Sequence, residues 1–372
     1  MPYLQLLRPA QWSKNVFLFA GLLFGQRLDE PAAVLAVVLA FGCFCLISSA
    51  IYVFNDIHDR REDQVHPEKA RRPVASGRVG VPAAGLLGAG LLLVGLGAGA
   101  WLDRGFLLVQ LAYVVLQSLY TLGLKHVAIL DVILIGAGFV LRAIAGAVVI
   151  HVAISPWLVL CTFTLCLFLG FSKRRCELNV LGLNAGRNAN RDEPVEAGLE
   201  PDGAPGPGGG APGPGGVATA PGGVATAPGS VATAPGGVAT AVRHGGPKAV
   251  RHRRTLADYT PDLLNHMTTL TAGIAVVSFM LYAVDPETSR KFFGEAGHYY
   301  LAYTLPLVVY AIFRFALLVE HGRCDGPTTV VLRDRPFQAA IGLWVIAVLV
   351  IIYRGPAIRM WLQAVFPHGE AA

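Results

Sequence analysis

The chain has 372 residues, of which 54% are hydrophobic and only 15% charged, and its formal net charge is +6. Soluble domains carry roughly 25% charged residues, so an ordinary soluble enzyme is excluded, and so much hydrophobic residue also excludes a chain disordered throughout. An all-α polytopic membrane protein remains.

In chain order, the expected spans begin with a short apolar run at Asn15–Gln26 between Lys14 and Arg27. As an α-helix it reaches roughly 18 Å, so both flanking cations have to snorkel for it to cross. Longer runs follow at Pro31–Phe54, Val79–Leu102, Gly105–Leu124, Val127–Val152 and Ile154–Ser172, then Leu263–Val284, Tyr299–Val319 and Phe337–Tyr353. This predicts a helical bundle of about nine transmembrane spans. Lys and Arg concentrate on the side that holds the N-terminus. The positive-inside rule then puts the N-terminus, and the ends of the second, fourth, sixth and eighth spans, in the cytoplasm of a cell-membrane protein. The six cysteines form no CxxC pair and lie mostly in apolar runs, so they read as small buried hydrophobes.

Residues 184–254 break the pattern. They include DGAPGPGGGAPGPGG and four VATA units at seven-residue spacing. A seven-residue period suits a coiled coil, but Pro221, Pro228 and Pro235 break each helical repeat. Gly, Pro, Ala and Thr cannot bury a core, so the segment reads as a disordered cytoplasmic insertion without chemistry. It separates a six-span part (1–183) from a three-span part (255–372).

The second span runs into NDIHDRREDQVHPEKARRPVASG. If the helix continues past Phe54, Asp56, Asp59 and Asp63 share an arc of about 60°, with Asn55 at its edge. Pro67 should end the helix near His66. Carboxylates on one face repel unless a cation lies among them. Mg²⁺ fits, because it takes oxygen ligands and typically uses one or two carboxylates plus substrate phosphates. Lys69, Arg71, Arg72 and Arg78 follow, able to hold the remaining phosphate charge. The bland alternative is a solvated helix end, which does not account for four aligned Asn and Asp residues at the mouth of an apolar span.

The other polar clusters fall on the same side. Lys14 precedes the first span, and Tyr120 and Lys125 end the fourth. Lys173, Arg174, Arg175 and Glu177 end the sixth, and Arg333, Asp334 and Arg335 end the eighth. Each basic cluster alone satisfies the positive-inside rule, and Tyr120 alone suits an interfacial anchor. Convergence with the carboxylates favours a site at one bundle mouth. Arg142 lies deeper, where a charge is functional or paired. Arg314 lies close enough to its span's end to snorkel.

NDIHDRREDQVHPEKARRPVASG resembles the first signature, NDxxDxxxD, of the UbiA superfamily of intramembrane prenyltransferases. RPAQWSKN, LYTLGLKHVAILDVILIGAGFVLRAIAG, GFSKRRCEL and LRDRPFQ resemble the branch whose members transfer a phosphoribosyl group to decaprenyl phosphate. The likeness covers nearly the whole chain outside 184–254. Typical UbiA enzymes carry a second Asp-rich motif after the sixth span and bind a prenyl diphosphate through two Mg²⁺ ions. Here that place reads SKRRCELN, with Glu177 its only acid.

The resemblance implies a Mg²⁺-dependent transfer of 5-phosphoribosyl from phosphoribosyl diphosphate to a polyprenyl phosphate, with inversion at the anomeric carbon, giving an arabinan precursor for the cell envelope. Asp56, Asp59, Asp63, Lys69 and Arg72 are then the catalytic set, and Asn55, Asp59 and Asp63 the metal ligands. Lys14, Asn55, Tyr120, Lys125, Arg142, Lys173, Arg174, Glu177 and Arg333 are the substrate-binding set. The expected partners are the two substrates and the membrane, with no nucleic acid; homo-oligomerisation is left open. The alternatives are prenyl transfer to an aromatic or other acceptor, and a membrane transporter.

Overall fold

The computed structural model describes residues 2–65, 69–189, 256, 258–293, 300–321 and 334–365. Among these, every regular element is helical. In chain order they are α1 (Pro2–Leu7), a 3-10 segment (Pro9–Leu18) running into α2 (Phe19–Phe24), α3 (Pro31–His58), α4 (Arg60–Val65), α5 (Val81–Leu102) and α6 (Arg104–Leu122). Then come α7 (Leu130–Val148), α8 (Pro156–Ala189), α9 (Pro261–Val284), α10 (Pro286–Phe293), α11 (Leu305–Glu320) and α12 (Arg335–Val365). Among the described residues eight helices are long and apolar enough to cross a membrane: α3, α5, α6, α7, α8, α9, α11 with the 3-10 turn before it, and α12. The chain is a multi-pass membrane protein.

Helix starts follow local chemistry. Proline occupies the first turn of α3, α5, α9 and α11, where its missing N–H deprives no carbonyl of a partner. Asp103 caps α6 by accepting the Phe106 N–H at 2.7 Å. The Thr260 hydroxyl caps α9 through the Leu263 N–H at 3.2 Å.

The first expected span is not a regular α-helix. It has ten residues of 3-10 helix and six of α-helix. At the larger rise of the 3-10 form, Pro9–Phe24 extends roughly 29 Å, close to a hydrocarbon core. Its ends lie at opposite ends of the bundle. Arg8 pairs with Asp56 near the end of α3, while Gln26 donates to the Ile352 carbonyl at 3.0 Å. Small residues let this segment lie directly on α7. A Cβ on Gly146 would come within 1.8 Å of the Leu18 carbonyl oxygen, and one on Gly21 within 2.6 Å of the Ala147 nitrogen. Such close backbone approach is how membrane helices pack without a hydrophobic drive.

Two of the apolar clusters among the described residues knit the long helices together. Leu18, Leu22, Phe44, Phe106 and Tyr113 join the first segment to α3, α6 and α7. Phe168, Ala272, Phe315 and Phe337 join α8, α9, α11 and α12. Leu86, Leu93 and Trp101 of α5 remain 71–81% exposed, as a surface solvated by lipid tails allows. Helix α8 continues to Ala189. The basic run 173–177 is therefore helical, as are the first residues of the segment expected to be unstructured. Cys43, Cys45, Cys161 and Cys166 are free thiols. Cys176 is disulfide-bonded, a departure from the reading of all six as simple hydrophobes.

Candidate functional site

The carboxylates lie where α3 passes into α4. Asp59 is the joint, with φ −84° and ψ 6°. Its N–H donates to the Asn55 carbonyl, and the Asp63 N–H to the Asp59 carbonyl, both at 2.9 Å. The helical register therefore passes through the joint and ends at Val65, so the acidic residues stay on one side. The Arg72 Nη1 bridges two of them, 3.1 Å from Asp56 Oδ1 and 2.7 Å from Asp63 Oδ2. Arg8 also pairs with Asp56. The Lys125 Nζ is 2.5 Å from Asp59 Oδ1, and Asn55 donates to Asp59 Oδ2 at 3.1 Å.

Local packing fixes these cations. The chain after α4 turns back on itself, with the Arg72 N–H donating to Lys69 O at 2.9 Å and the Val79 N–H to Pro73 O at 3.0 Å. Val74 and Val79 plug into Leu6, Val53 and Ala84, which holds Arg72 over the helix joint. Lys69 is half-buried on the preceding turn. Lys125 lies on a 3-10 turn, Leu124–His126, just beyond α6. Tyr120, in the last turn of α6, is within electrostatic reach of Arg174.

Asn55, Asp59 and Asp63 offer only oxygen donors, the set Mg²⁺ prefers. Asp56 and Asp63 are 2–3% exposed and Asp59 is 17% exposed, so Asp59 is the most open to an arriving ion. Among the described residues no three His, Cys, Asp or Glu side chains converge as a cage. The residues fit an open site that substrate oxygens complete, not a closed one.

A second polar zone lies deeper. Arg142 is 4% exposed, about 16 Å along α7 from Asp131. It donates to Asn15 Oδ1 at 2.8 Å, Gly138 O at 2.9 Å and the Tyr113 hydroxyl at 2.6 Å. All three acceptors are neutral, and the rings of Tyr113 and Phe139 flank the guanidinium at 4.7 and 5.2 Å. Lys14 is half-buried and feels the charges of Arg142 and Arg8. Among the described residues no carboxylate pairs with Lys14 or Arg142. Buried charge without a counter-charge is costly, and here the three neutral acceptors and two rings are what compensate Arg142.

The end of α8 departs from expectation. Successive residues on a helix diverge by 100°, so the basic run does not act as one patch. Lys173 is 48% exposed, 4.0 Å from Glu177 Oε1. Arg174 turns inward, with Nη2 2.7 Å from Asp131 Oδ2 and Nη1 2.8 Å from Glu177 Oε2. Arg174 and Glu177 are thus paired with each other within the fold. Arg314 is held by both oxygens of Asp334, at 2.9 and 3.2 Å, and Arg333 lies outside the described residues.

Several participants carry no sequence signal. Arg8 lies in RPAQWSKN, but nothing in its spacing points to Asp56. Asn15, Tyr113 and Tyr259 read as span or loop residues. Only the neighbouring intramembrane charges, Asp131 and Arg142, hint that they need polar partners.

Residues 15–174 match the UbiA prenyltransferase family. The chain is 27% identical over 358 residues to decaprenyl-phosphate phosphoribosyltransferase of Mycolicibacterium smegmatis, covering 93% of this chain and 91% of that one. It is 28% identical over 347 residues to the protein of the same name from Mycobacterium tuberculosis, covering 92% and 91%. In fold it resembles the structure of a UbiA homolog from Archaeoglobus fulgidus bound to GPP and Mg²⁺, with TM-score 0.57, 16% identity, and coverage of 95% of this chain and all of that one.

Proposed function

We propose that this chain, whose residues 15–174 match the UbiA prenyltransferase family, transfers 5-phosphoribosyl from phosphoribosyl diphosphate to a polyprenyl phosphate, releasing diphosphate. The observation that carries the reading is the pairing of one acidic cluster with a separate cation zone that has no carboxylate partner among the described residues. A donor with a diphosphate and a distant 5-phosphate asks for both. The α8 end supports the same reading, because the segment SKRRCELN has three cations and one acid, Glu177, in place of a second Asp-rich motif. The likeness over more than 90% of the chain to two phosphoribosyltransferases points the same way.

In this reading Asn55, Asp59 and Asp63 hold Mg²⁺, with Asp56 supporting them. Bound Mg²⁺ neutralises charge on the diphosphate. Arg72 and Lys125 pair with the same carboxylates and, with Lys69 from the turn before Arg72, stabilise the leaving group as its charge develops. Lys14 and Arg142 hold a second phosphate, the donor's 5-phosphate or the acceptor's head group. Tyr120 adds a hydroxyl at the mouth, and Lys173, exposed there, gives long-range attraction to anions. An acceptor phosphate oxygen attacks the anomeric carbon while the bond to diphosphate breaks. No general base is required, because the acceptor is already anionic. The product is a polyprenyl-phosphoryl 5-phosphoribose, serving arabinan precursor synthesis, and the mouth faces the cytoplasm of the cell membrane.

The likeness in fold to a GPP-bound homolog favours a second reading, prenyl transfer from a prenyl diphosphate. Offering purified protein both donors, labelled differently, with Mg²⁺, polyprenyl phosphate and an aromatic acceptor decides between them. The expected product carries the ribosyl label on the polyprenyl phosphate. A prenylated aromatic product would overturn the proposal and leave the superfamily assignment intact.

A further inference from the structure

A strained turn lies next to the carboxylate cluster, and a residue remote in sequence holds it. Ile129, just before α7, has φ 70° and ψ −48°. The Leu130 N–H donates to the Ala128 carbonyl at 2.8 Å. Together these define a γ-turn of the rare, strained hand, centred on a β-branched residue. Left alone, this stretch would relax to an ordinary backbone conformation.

Tyr259 prevents that. Its hydroxyl oxygen accepts the Ile129 N–H at 2.6 Å and donates its own proton to Asp131 Oδ1 at 2.8 Å. Asp131 is fully buried, and its other oxygen takes Arg174. The Tyr259 ring is 3% exposed, packed with Val132, Phe171, Leu256 and Leu264. One hydroxyl therefore ties the start of α7 to a buried ion pair with α8 and to the approach to α9. The stretch it holds, Gly123–Asp131, carries Lys125, whose ammonium meets Asp59. Lys125 is four residues from the strained centre, joined to it by a 3-10 turn and backbone bonds from the His126 N–H to Gly123 O and the Val127 N–H to Leu124 O.

We propose that Tyr259 is a positioning residue: its hydroxyl holds the strained turn at Ile129 so that Lys125 stays against the Asp59 carboxylate, where the donor's diphosphate binds. This rests on the reading of Lys125 as a donor-binding cation. A phenylalanine would keep the packing and lose both hydrogen bonds, and with them the reason for the strained conformation. Glycine adopts positive φ without the penalty a β-branched residue meets, so glycine at 129 lets the turn keep its shape without the tether.

The test uses the full chain in lipid nanodiscs, with binding of labelled phosphoribosyl diphosphate in Mg²⁺ and thermal unfolding measured on the same samples. Lys125→Ala is expected to weaken donor binding about tenfold or more. Tyr259→Phe should weaken it less than Lys125→Ala, and the double variant should bind no worse than Lys125→Ala alone. Adding Ile129→Gly to Tyr259→Phe should restore much of the lost affinity. A Tyr259→Phe protein that melts lower yet binds the donor normally shows a purely structural role and overturns the proposal. Effects of Tyr259→Phe and Lys125→Ala that multiply do the same. Should Tyr259→Phe fail to fold, the Ile129→Gly combination carries the test, and unfolding or no recovery there counts against the proposal. Normal donor binding by Lys125→Ala overturns the site reading itself, a distinct outcome from failure at Tyr259 alone.

Discussion

Like charges at Lys14 and Arg142 repel, and in the proposed function a substrate phosphate relieves that repulsion. That conflict is measurable. Lys14→Met keeps the length of the side chain and removes one of two like charges in a buried zone. The variant should unfold at the same temperature as the parent or higher, while its affinity for a phosphate-bearing substrate falls about tenfold or more. Thermal unfolding without ligand and substrate binding with it report the two effects separately. A less stable variant with normal binding would show that Lys14 serves the fold. The carboxylates make a complementary case. Asp59→Asn and Asp63→Asn should each abolish turnover while the protein stays in the membrane, since in the proposed function their charge would hold Mg²⁺. Arg61, exposed on the far side of the same short helix, should tolerate Gln with little loss. Equal damage from all three in a steady-state assay would contradict a one-sided metal site.

At the scale of elements, the first segment decides whether the deep cation zone exists. It carries Lys14 and Asn15, and only its close seat on α7 brings Asn15 to Arg142. Gly146 is the seat, because any side chain there meets the Leu18 carbonyl. Gly146→Val should displace the segment, lower the unfolding temperature and remove activity, with overpacking alone costing about 1–3 kcal/mol. Gly97 of α5 makes the contrast, since a Cβ there meets nothing within 4 Å. Gly97→Ala should be neutral or slightly stabilising, as Ala is the better helix former by about 0.5–1 kcal/mol. Activity and melting of the two variants, compared side by side, test the seat. Local pattern located this segment but not its form. Twelve apolar residues make a poor α-helical span, and the 3-10 rise that lets them extend farther comes from packing against α3 and α7, which no periodicity records.

For the whole molecule, acidic cluster, cationic loop and α8 end share one mouth of the bundle, and the donor is too charged to cross lipid. Turnover in sealed vesicles should therefore depend on which side receives phosphoribosyl diphosphate. With protein inserted in both orientations, donor added outside should reach only part of the enzyme, and permeabilising the vesicles should reveal the rest. Activity unchanged by permeabilisation, despite mixed orientation shown by protease access, would mean that the site opens to both sides. That is the behaviour expected of a transporter.

Composition, run lengths and the Asn–Asp spacing determined the class, the positions of the eight long helices and the face that bears the acidic cluster. Those properties are local: apolar length sets a span, and 100° per residue sets a face. The tertiary structure decided which charges are available. Arg174 and Glu177, adjacent to the mouth in sequence, are drawn into an ion network with Asp131. Arg8 and Lys125, 48 and 66 residues from their acidic partners, become part of the cluster, and Lys14 and Arg142 pair with no carboxylate among the described residues. A buried charge must be compensated by whatever the fold brings within a few ångströms, and that is set by how helices distant in sequence pack, which a linear pattern does not contain.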